Sequence, residues 1–345
     1  MTKICSTDLI FDPKADSALP DEALRSKKNR YVNFDAKTTV TQIAAEALGA
    51  KIVRVEPLGV GKNAFDHLVY RAYTDKGLKV VFRLNTDSIV AKHFMVEATL
   101  YDIWHRAGIS SPEVYNITLR NKKNDPDYIL LENVGTHDLE EYLRHHPRDL
   151  TTYAFSSGAF LRHLHTVSLE GFGILELKDE VLQGSQKTWK EAIHVRLEEN
   201  LKYLVKHHLL TLKQEKEIRN TFVKNDKLLE LETGTTLHGD YHNANIIIDE
   251  VSGKVIAAID LSQAKVGDPL YDVAFYGTYV SKEIFDLFCK GYFGHSKRPP
   301  NLEKKLALYQ LRIYLSKAKL RKRFGYEERI GAASHGIVDS LKKLT

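Results

Sequence analysis

Two short stretches of the chain carry polar residues that could do chemistry together. In "TLHGDYHNANIIIDE", Asp240 and Asn245 precede a run of isoleucines, and in "VIAAIDLSQ", Asp260 ends the next apolar run. Carboxylate and amide oxygens are the hard ligands that Mg²⁺ prefers, together with water and phosphate oxygens. A loop that leads into a hairpin with Asp260 at its far end would bring the three side chains together. The spacing therefore predicts a magnesium site.

Two histidines in the first stretch support a different interpretation. His238 and His242 are four residues apart, and on a helix they would share one face and could bind zinc. The runs "IIID" and "KVIAAID" around "EVSG" instead predict a β-hairpin, so we expect the histidines on an irregular loop. A zinc hydrolase stays an alternative, weakened because no further ligands follow at the spacing that zinc sites use.

A carboxylate, a cation and a metal ion are the main requirements of phosphoryl transfer. The carboxylate orients the attacking hydroxyl and accepts its proton, while the metal ion and the cation neutralise phosphate oxygens. Asp240 can be this carboxylate. Protein kinases place an asparagine five residues after the equivalent aspartate, and a metal-binding aspartate after the next hairpin. Asn245 and Asp260 follow the same spacing.

Length and composition favour a two-lobed protein of the cytoplasm. The 345 residues exceed what one hydrophobic core usually supports, and no apolar run reaches the roughly 18 residues of a membrane span. The first residues lack the apolar core of a secretory signal. Cys5 and Cys289 are far apart, which argues against a disulfide and structural zinc. The charges are interspersed with a net charge of +5, so we expect neither a nucleic-acid nor a membrane partner.

The elements that must position the polar residues change in type along the chain. Helical spacing in "TVTQIAAEAL" is followed by "KIVRVEPL", "HLVYRAY" and "KVVFRLN", which predict an antiparallel meander. A long helix, "IVAKHFMVEATLYDIWHRAG", then precedes the strand pair "EVYNITLR" and "DYILLENV". Later patterns, including "KTWKEAIHVRLEENLKYLVKHH", predict mostly helices. We therefore predict an α+β fold with a small antiparallel-sheet lobe (1–134) and a larger, mainly helical lobe (135–345).

These motifs resemble the aminoglycoside phosphotransferase and choline kinase family, small-molecule kinases with a protein-kinase-like fold. "HGDYHNANIIID" and "AAIDLSQAKVGDPLYDVA" carry the resemblance, "PLGVGKNAFDHLVYRA" is similar to the family's phosphate-covering hairpin, and "YILLENVGTHDLEEYL" to its hinge. The resemblance implies a nucleotide in the cleft under the hinge, and Mg²⁺- and ATP-dependent phosphorylation of a hydroxyl group on an antibiotic or a metabolite. GTP is an alternative nucleotide. Oligomeric state is left open.

The resemblance also implies a role for each matching residue. Asp240 would be the catalytic base, and Asn245 and Asp260 the magnesium ligands. Arg83 would contact the nucleotide phosphates, with Glu97 of the long helix as its partner. A structural explanation is an alternative for two of them, since Arg83 could face solvent from its strand and Glu97 could form an ion pair without catalytic use.

Further nucleotide contacts are implied in the small lobe. They are Gly61 in the glycine loop and the backbone of Glu132 and Val134 at the adenine edge. The chain departs from the familiar kinase pattern at Arg83, where lysine is common, and in its sparse glycine loop. A guanidinium can bind a phosphate or a carboxylate through two hydrogen bonds, so arginine is compatible with catalysis. A nucleotide-binding pseudokinase or regulatory protein without catalysis is the alternative function.

Three further polar residues are expected to support the loop. We expect His238 to hold it through ring hydrogen bonds, and Asp268 and Asp272 to brace it and the helix that follows.

The segment from Ser296 to Thr345 bears on the acceptor, because it holds thirteen Lys and Arg but four acidic residues. If part of it faces the cleft, its field would disfavour a polycationic acceptor. The alternative is a solvated outer face of terminal helices.

Overall fold

The computed structural model describes residues 35–58, 68–85, 91–118, 127–135 and 137–344. Its first part is an antiparallel sheet with two helices. The five strands are β1 (Ile52–Leu58), β2 (Leu68–Thr74), β3 (Lys79–Asn85), β4 (Val114–Thr118) and β5 (Asp127–Glu132), and the helices are α1 (Ala36–Leu48) and α2 (Ala91–Arg106). The strand order β1-β2-β3-β5-β4 and the antiparallel pairing confirm the predicted meander and strand pair.

Helix α1 starts and ends at clear sequence signals. The Asp35 carboxylate accepts a hydrogen bond from the backbone N–H of Thr38, which satisfies a donor of the first turn. Gly49 adopts the left-handed conformation directly after the last turn, which glycine does at little cost. The helix predicted up to Gly49 is confirmed.

Strand β3 has two differently used faces. Val80, Phe82 and Leu84 form a core with α1. Because successive strand residues point to opposite faces, this orientation turns Arg83 towards α2, where its guanidinium lies 5.8 Å from the Phe94 ring centre. The alternation along β3 therefore buries the Arg83 side chain against α2.

The second part of the chain is mainly helical, as predicted. Its helices are α3 (Leu139–His145), α4 (Leu150–Leu164), α5 (Trp189–His194), α6 (Leu197–Lys206), α7 (Leu212–Lys224), α8 (Leu270–Gly277), α9 (Lys282–Phe293), α10 (Leu302–Phe324) and α11 (Glu327–Leu344). Its strands are β6 (Phe172–Lys178), β7 (Val181–Gln186), β8 (Thr235–Leu237), β9 (Ile246–Asp249), β10 (Lys254–Ala258) and β11 (Lys265–Gly267). Among the helices in the described ranges, none has the length and apolarity to cross a bilayer. The lobe boundary near residue 134 stays a prediction.

Strands β6 to β8 and β11 form a sheet that the sequence analysis missed. The order is β7-β6-β11-β8, with β6 and β7 as an antiparallel hairpin. Asp179 and Glu180 at its turn both have positive φ, 49° and 66°. Two consecutive left-handed residues are typical of tight hairpin turns, but such turns usually carry Asn or Gly. The missing glycine explains why the hairpin was hard to predict.

The long helical pattern "KTWKEAIHVRLEENLKYLVKHH" is two helices rather than one. Helix α5 ends at His194, Val195 leaves the helical conformation with a ψ of 122°, and Arg196 has a φ of 57° before α6 begins. The Arg312 guanidinium donates hydrogen bonds to the carbonyl oxygens of Ile193 and Val195 at 2.7 and 2.8 Å. The buried Arg312 of α10 therefore donates to carbonyl oxygens that would accept backbone N–H groups of the next turn if the helix were continuous.

Two glycines let α4 and α9 pack at very short distance. A methyl group on Gly158 would lie 2.0 Å from the carbonyl oxygen of Phe288, and one on Gly291 would lie 2.0 Å from that of Phe155. Next to this contact, the Ser157 carbonyl accepts a hydrogen bond of 2.9 Å from the Tyr241 hydroxyl. The close packing therefore fixes a helix that holds the polar loop around Asp240.

We expect Gly158→Ala to destabilise the protein by about 1–3 kcal/mol, because the added methyl group must push two backbones apart. Gly331→Ala is the control, since no atom lies within 4 Å of its methyl position in α11. It should stabilise the protein by about 0.5–1 kcal/mol through higher helix propensity. Urea denaturation measures both free energies of unfolding. Equal stability of Gly158→Ala and wild type would contradict the close packing.

Candidate active site

Arg83 joins three elements through two carboxylates. Its Nη1 lies 2.5 and 2.6 Å from the two carboxylate oxygens of Glu97 on α2, and its Nη2 lies 2.9 Å from Asp260 Oδ1. The Tyr101 hydroxyl adds a hydrogen bond of 3.1 Å to Glu97. Only 7% of the Arg83 side chain and 1% of the Glu97 side chain are exposed. The solvent-facing alternative for Arg83 is therefore wrong.

The charges of this cluster stabilise one another against burial. Burial by itself lowers the pKa of Arg83, but Glu97 and Asp260 raise that pKa above its ordinary value. Burial raises the pKa of Glu97, and the Arg83 charge opposes this rise. The guanidinium thus stays charged inside the protein, where it holds two carboxylates from different parts of the chain.

Asp240 and Asn245 meet on the loop that precedes β9. The loop is irregular apart from one 3-10 turn (Asn243–Asn245), as expected from the hairpin after it. The Asn245 amide nitrogen donates to the Asp240 carbonyl at 3.0 Å and to its carboxylate at 3.1 Å. His242 Nε2 lies 3.5 Å from the same carboxylate. Because the amide nitrogen faces Asp240, the Asn245 amide oxygen is the atom left to ligate a cation.

His238 ties this loop to the strand end that carries Asp260. Its Nδ1 accepts the backbone N–H of Asp240 at 3.3 Å, so its Nε2 carries the proton and donates to the Ile259 carbonyl at 3.0 Å. Ile259 in turn donates its N–H to the Asn245 carbonyl at 3.0 Å. These bonds join the segment that carries Asp240 and Asn245 to the strand end that carries Asp260. Both nitrogens of His238 have backbone partners, which confirms its structural role and disfavours the zinc alternative.

Asp272 holds the same loop from behind. Its carboxylate accepts the backbone N–H groups of His238 and Gly239 at 2.7 and 2.9 Å, and His165 Nε2 lies 3.2 Å away. Although burial raises the pKa of Asp272, its bond to His165 and the nearby positive charges lower it overall. Gly239 has a φ of 79°, and a methyl group there would lie 1.9 Å from the Gln263 carbonyl oxygen. The expected bracing role of Asp272 is confirmed.

Asp268 braces a helix instead of the loop. Its carboxylate accepts the N–H of Leu270 at 2.9 Å, at the start of α8, and the Lys305 ammonium and the Tyr309 hydroxyl at 2.8 Å each. Both of the last two residues lie on α10. The carboxylate therefore couples the loop after β11 to the longest helix.

The predicted nucleotide contacts of the small lobe are only partly described. Glu132 ends β5 and Val134 follows it, while Gly61 lies outside the described residues. Asn133, between Glu132 and Val134, accepts a 2.7 Å hydrogen bond from Arg71 of β2 and donates one of 2.6 Å to the Gly135 carbonyl. The sequence analysis did not single out Asn133. Its side chain fixes the backbone that would meet the adenine edge.

The sequence analysis also missed two residues near His242, Tyr279 and Lys317. The Tyr279 ring stacks on His242, with ring centres 4.8 Å apart, and the Lys317 ammonium lies 3.5 Å from the Tyr279 ring centre. The Tyr279 ring therefore contacts both His242 and Lys317. Lys317 also donates to Thr278 at 2.8 Å. No local sequence pattern predicts that His242, Tyr279 and Lys317 lie close together.

The basic residues of α10 are mostly used in packing. Lys319 contacts Glu199, Lys305 contacts Asp268 and Lys322 contacts Glu327. Arg312 binds backbone carbonyls and is fully buried. Paired and buried charges have a weaker outward field than the count of basic residues suggests. The preference against a polycationic acceptor stays a prediction.

The oxygen donors fit a magnesium ion better than zinc. Within the described part of the chain, no group of three or more His, Cys, Asp and Glu side chains is arranged to hold a metal ion. Mg²⁺ does not need such a group, because it binds one or two protein carboxylates and takes its other ligands from phosphates and water. The Asp260 carboxylate and the Asn245 amide oxygen supply donors of this kind. Asp260 also has a φ of 66°, a conformation that non-glycine residues often adopt at functional sites.

We expect the His238 ring to make stability depend on pH. Burial, the largest cause, lowers the pKa of His238 to about 4. Between about pH 6.5 and 4 the unfolded chain binds a proton at this ring and the folded chain does not, so acidification destabilises the fold. The loss should reach on the order of 3 kcal/mol. Urea denaturation across this pH range measures it.

The variant His238→Gln lacks this titration. The stability difference between it and wild type should therefore shrink as the pH falls from about 6.5 to 4. His163→Gln, at an exposed position of α4, is the control and should follow wild type. A constant difference between His238→Gln and wild type would contradict the assignment.

We expect Arg83→Met to destabilise the fold by about 3–5 kcal/mol, because it leaves the buried Glu97 carboxylate and the half-buried Asp260 carboxylate without their cation. The double variant with Glu97→Gln should be destabilised by less than the sum of the two single changes. The exposed pair of Arg106 and Asp102 on α2, 2.6 Å apart, is the control, and Arg106→Met should cost less than about 1 kcal/mol. Strictly additive effects of Arg83→Met and Glu97→Gln would argue against a coupled pair.

The described structure resembles solved phosphotransferases. A thermostable mutant of aminoglycoside phosphotransferase APH(4)-Ia, in a ternary complex with ADP and hygromycin B, is 18% identical over 88% of this chain and 98% of that chain, with a TM-score of 0.70. A putative fructosamine-3-kinase from Thermobifida fusca is also 18% identical, over 87% and 99%, with a TM-score of 0.63. The macrolide 2'-phosphotransferase MphH from Brachybacterium faecium is 16% identical, over 87% and 97%, with a TM-score of 0.56.

Sequence comparison identifies the family. A search of the curated proteins found no match to the chain. The sequence pattern of the phosphotransferase enzyme family, however, matches residues 59–307, which include Arg83, Glu97, Asp240, Asn245 and Asp260. The α+β, protein-kinase-like fold expected from the motifs is confirmed, and the chain belongs to the phosphotransferase enzyme family.

Proposed function

We propose that the protein is a Mg²⁺- and ATP-dependent phosphotransferase that phosphorylates a hydroxyl group of a small molecule. The hydrogen bond from the Asn245 amide to the Asp240 carboxylate, 3.1 Å long, carries this proposal. It sets a base candidate beside a ligand candidate, and the bond from Ile259 to Asn245 sets both beside Asp260. Family membership supports the same reaction type.

The roles of the loop residues follow from their contacts. Asp240 accepts the proton of the acceptor hydroxyl and orients its oxygen for attack. The Asn245 amide holds the Asp240 carboxylate in place, while its own amide oxygen and the Asp260 carboxylate would hold Mg²⁺. When bound, this ion neutralises charge on the phosphate oxygens during transfer. The buried loop keeps these groups in a fixed geometry before the substrates arrive.

Nucleotide binding is assigned to the sheet-rich part of the chain. Arg83 is charged and lies beside Asp260, at 2.9 Å, where the nucleotide phosphates would come close to both. The backbone of Glu132 and Val134 would meet the adenine edge, and Gly61 would approach the phosphates from the glycine loop. The bond from Arg71 to Asn133 supports the backbone between the first two. ATP is proposed as the donor, with GTP as the alternative.

The acceptor is proposed to be a small hydroxyl compound that is not a polycation. The proposal is supported by Lys317, whose ammonium group contacts the Tyr279 ring that stacks on His242. An acceptor with several ammonium groups would place some of them near this buried cation, at an electrostatic cost. The APH(4)-Ia structure holds hygromycin B, so an antibiotic acceptor is included among the tests.

The test is a screen of the purified protein for ATP-dependent phosphorylation with Mg²⁺ present. The acceptor panel has four arms: polycationic aminoglycosides, macrolides, sugar amines, and neutral or acidic hydroxyl metabolites. Mass spectrometry detects a product heavier by one phosphate. Efficient turnover of a polycation would overturn the proposed acceptor class. Nucleotide binding without a product in any arm would favour the alternative, a pseudokinase.

We expect Asp240→Asn and Asp260→Asn to fail in different ways. Asp240→Asn should lower turnover by about 10²–10⁴-fold, because no base accepts the proton, while nucleotide affinity stays near that of wild type. Asp260→Asn should weaken Mg²⁺-dependent nucleotide binding, measured by calorimetry with and without Mg²⁺. Asp286→Asn, in an exposed ion pair of α9, is the control. Full activity of Asp240→Asn would remove the assignment of the base.

A further inference from the structure

A buried lysine lies under the loop that carries Asp240. Lys265 is the first residue of β11, whose backbone pairs with Ile174 of β6 and Leu237 of β8, and it is fully buried. Its ammonium nitrogen would lie 2.6 Å from a methyl group placed on Gly239. The ammonium therefore comes up against the backbone that directly precedes Asp240.

The charged groups around Lys265 come from several elements. Asp240 of the loop and Asp272 of α8 favour its charge, whereas Arg312 of α10 opposes it. The Tyr271 ring centre lies 4.9 Å from the ammonium nitrogen, and His165 and His238 surround Asp272 on its other side. Buried carboxylates lose hydration, and a nearby cation offsets part of that cost. Lys265 is thus a buried cation whose charge both carboxylates stabilise.

Other lysines of the same region serve packing. Lys305 binds Asp268, and Lys319 binds Glu199 and Asn200, so these two join α10 to neighbouring segments. Lys319 is buried like Lys265 but has a different set of neighbours. This contrast separates a lysine that supports helix packing from one that supports the loop.

We propose that Lys265 is a positioning residue of the phosphoryl-transfer site, whose ammonium group holds the Gly239–Asp240 backbone and the Asp240 carboxylate in place from beneath the loop. The inference rests on the proposed function and adds to it a residue to which the family resemblance gives no role. The Asp272 carboxylate fixes the backbone through two N–H groups. Lys265 fixes it through charge, and so links the positions of the two carboxylates.

The first test measures how the lysine charge depends on Asp240. Burial, as the largest cause, lowers the pKa of Lys265 to about 8 while the two carboxylates oppose this, so the titration falls in an accessible range. NMR of protein with ¹⁵N-labelled lysine follows it, with Lys265→Met used for assignment. In Asp240→Asn the midpoint should move to lower pH because a favourable charge is lost. Asp268→Asn, whose carboxylate binds Lys305 instead, should leave it unchanged.

The second test measures turnover with the best acceptor from the screen. We expect Lys265→Met to lower kcat by about 10–100-fold through misplacement of Asp240, with nucleotide affinity unchanged. Lys319→Met is the matched control and should keep wild-type kcat. Wild-type kcat should also decline as the pH rises through about 8, where Lys265 loses its charge. The decline should be absent in Lys265→Met.

The two tests fail separately. The same Lys265 midpoint in wild type and Asp240→Asn, or a wild-type kcat in Lys265→Met, would overturn the positioning role. Absence of phosphorylation by wild type would instead overturn the proposed function, and the NMR titration would still decide whether Lys265 and Asp240 are coupled. If Lys265→Met does not fold, as judged by circular dichroism, the titration of Asp240→Asn decides alone.

Discussion

One buried guanidinium connects three separate parts of the chain. Arg83 comes from the sheet, Glu97 from α2 and Asp260 from the segment after β10, and the three are joined by bonds of 2.5 to 2.9 Å. Removing two carboxylates and a guanidinium from water is costly, so the arrangement persists only because each charge has a partner. The relative placement of the sheet, α2 and the segment that carries Asp260 therefore depends on this cluster.

A second set of bonds holds the other side of the loop. Asp272 accepts two backbone N–H groups, and His238 connects the Asp240 N–H to the Ile259 carbonyl. The loop has little regular structure of its own, so its shape must come from such contacts. Because Gly239 sits against Gln263 and Lys265, a side chain at that position would displace the loop. Asn245 thus contacts Asp240 directly. The preceding residue, Gly239, is held by Asp272 of α8 and packs against Lys265 of β11.

The sequence predicted what depends on local pattern and missed what depends on distant contacts. The spacing of Asp240, Asn245 and Asp260 was sufficient to predict their meeting, because a hairpin between them has few possible geometries. The β6–β7 hairpin was missed because its turn has Asp179 and Glu180 in place of glycine or asparagine. The break before α6 depends on hydrogen bonds from a residue more than a hundred positions away. Lys265 was missed because a lysine is usually exposed.

Charge and burial together explain why the site can be rigid before its substrates bind. Dipoles and charges held in a low-dielectric interior act strongly on a transition state and need no reorganisation at the moment of reaction. Buried cations such as Arg83 and Lys265 lie close to the acidic residues of the loop, so no single sign dominates the interior. Much of the basic excess of α10 is likewise matched or buried. The net charge of the segment is therefore a poor guide to the field that an acceptor would meet. The contacts of the Tyr279 ring with Lys317 and His242 show how one such cation is held inside the protein instead of at its surface.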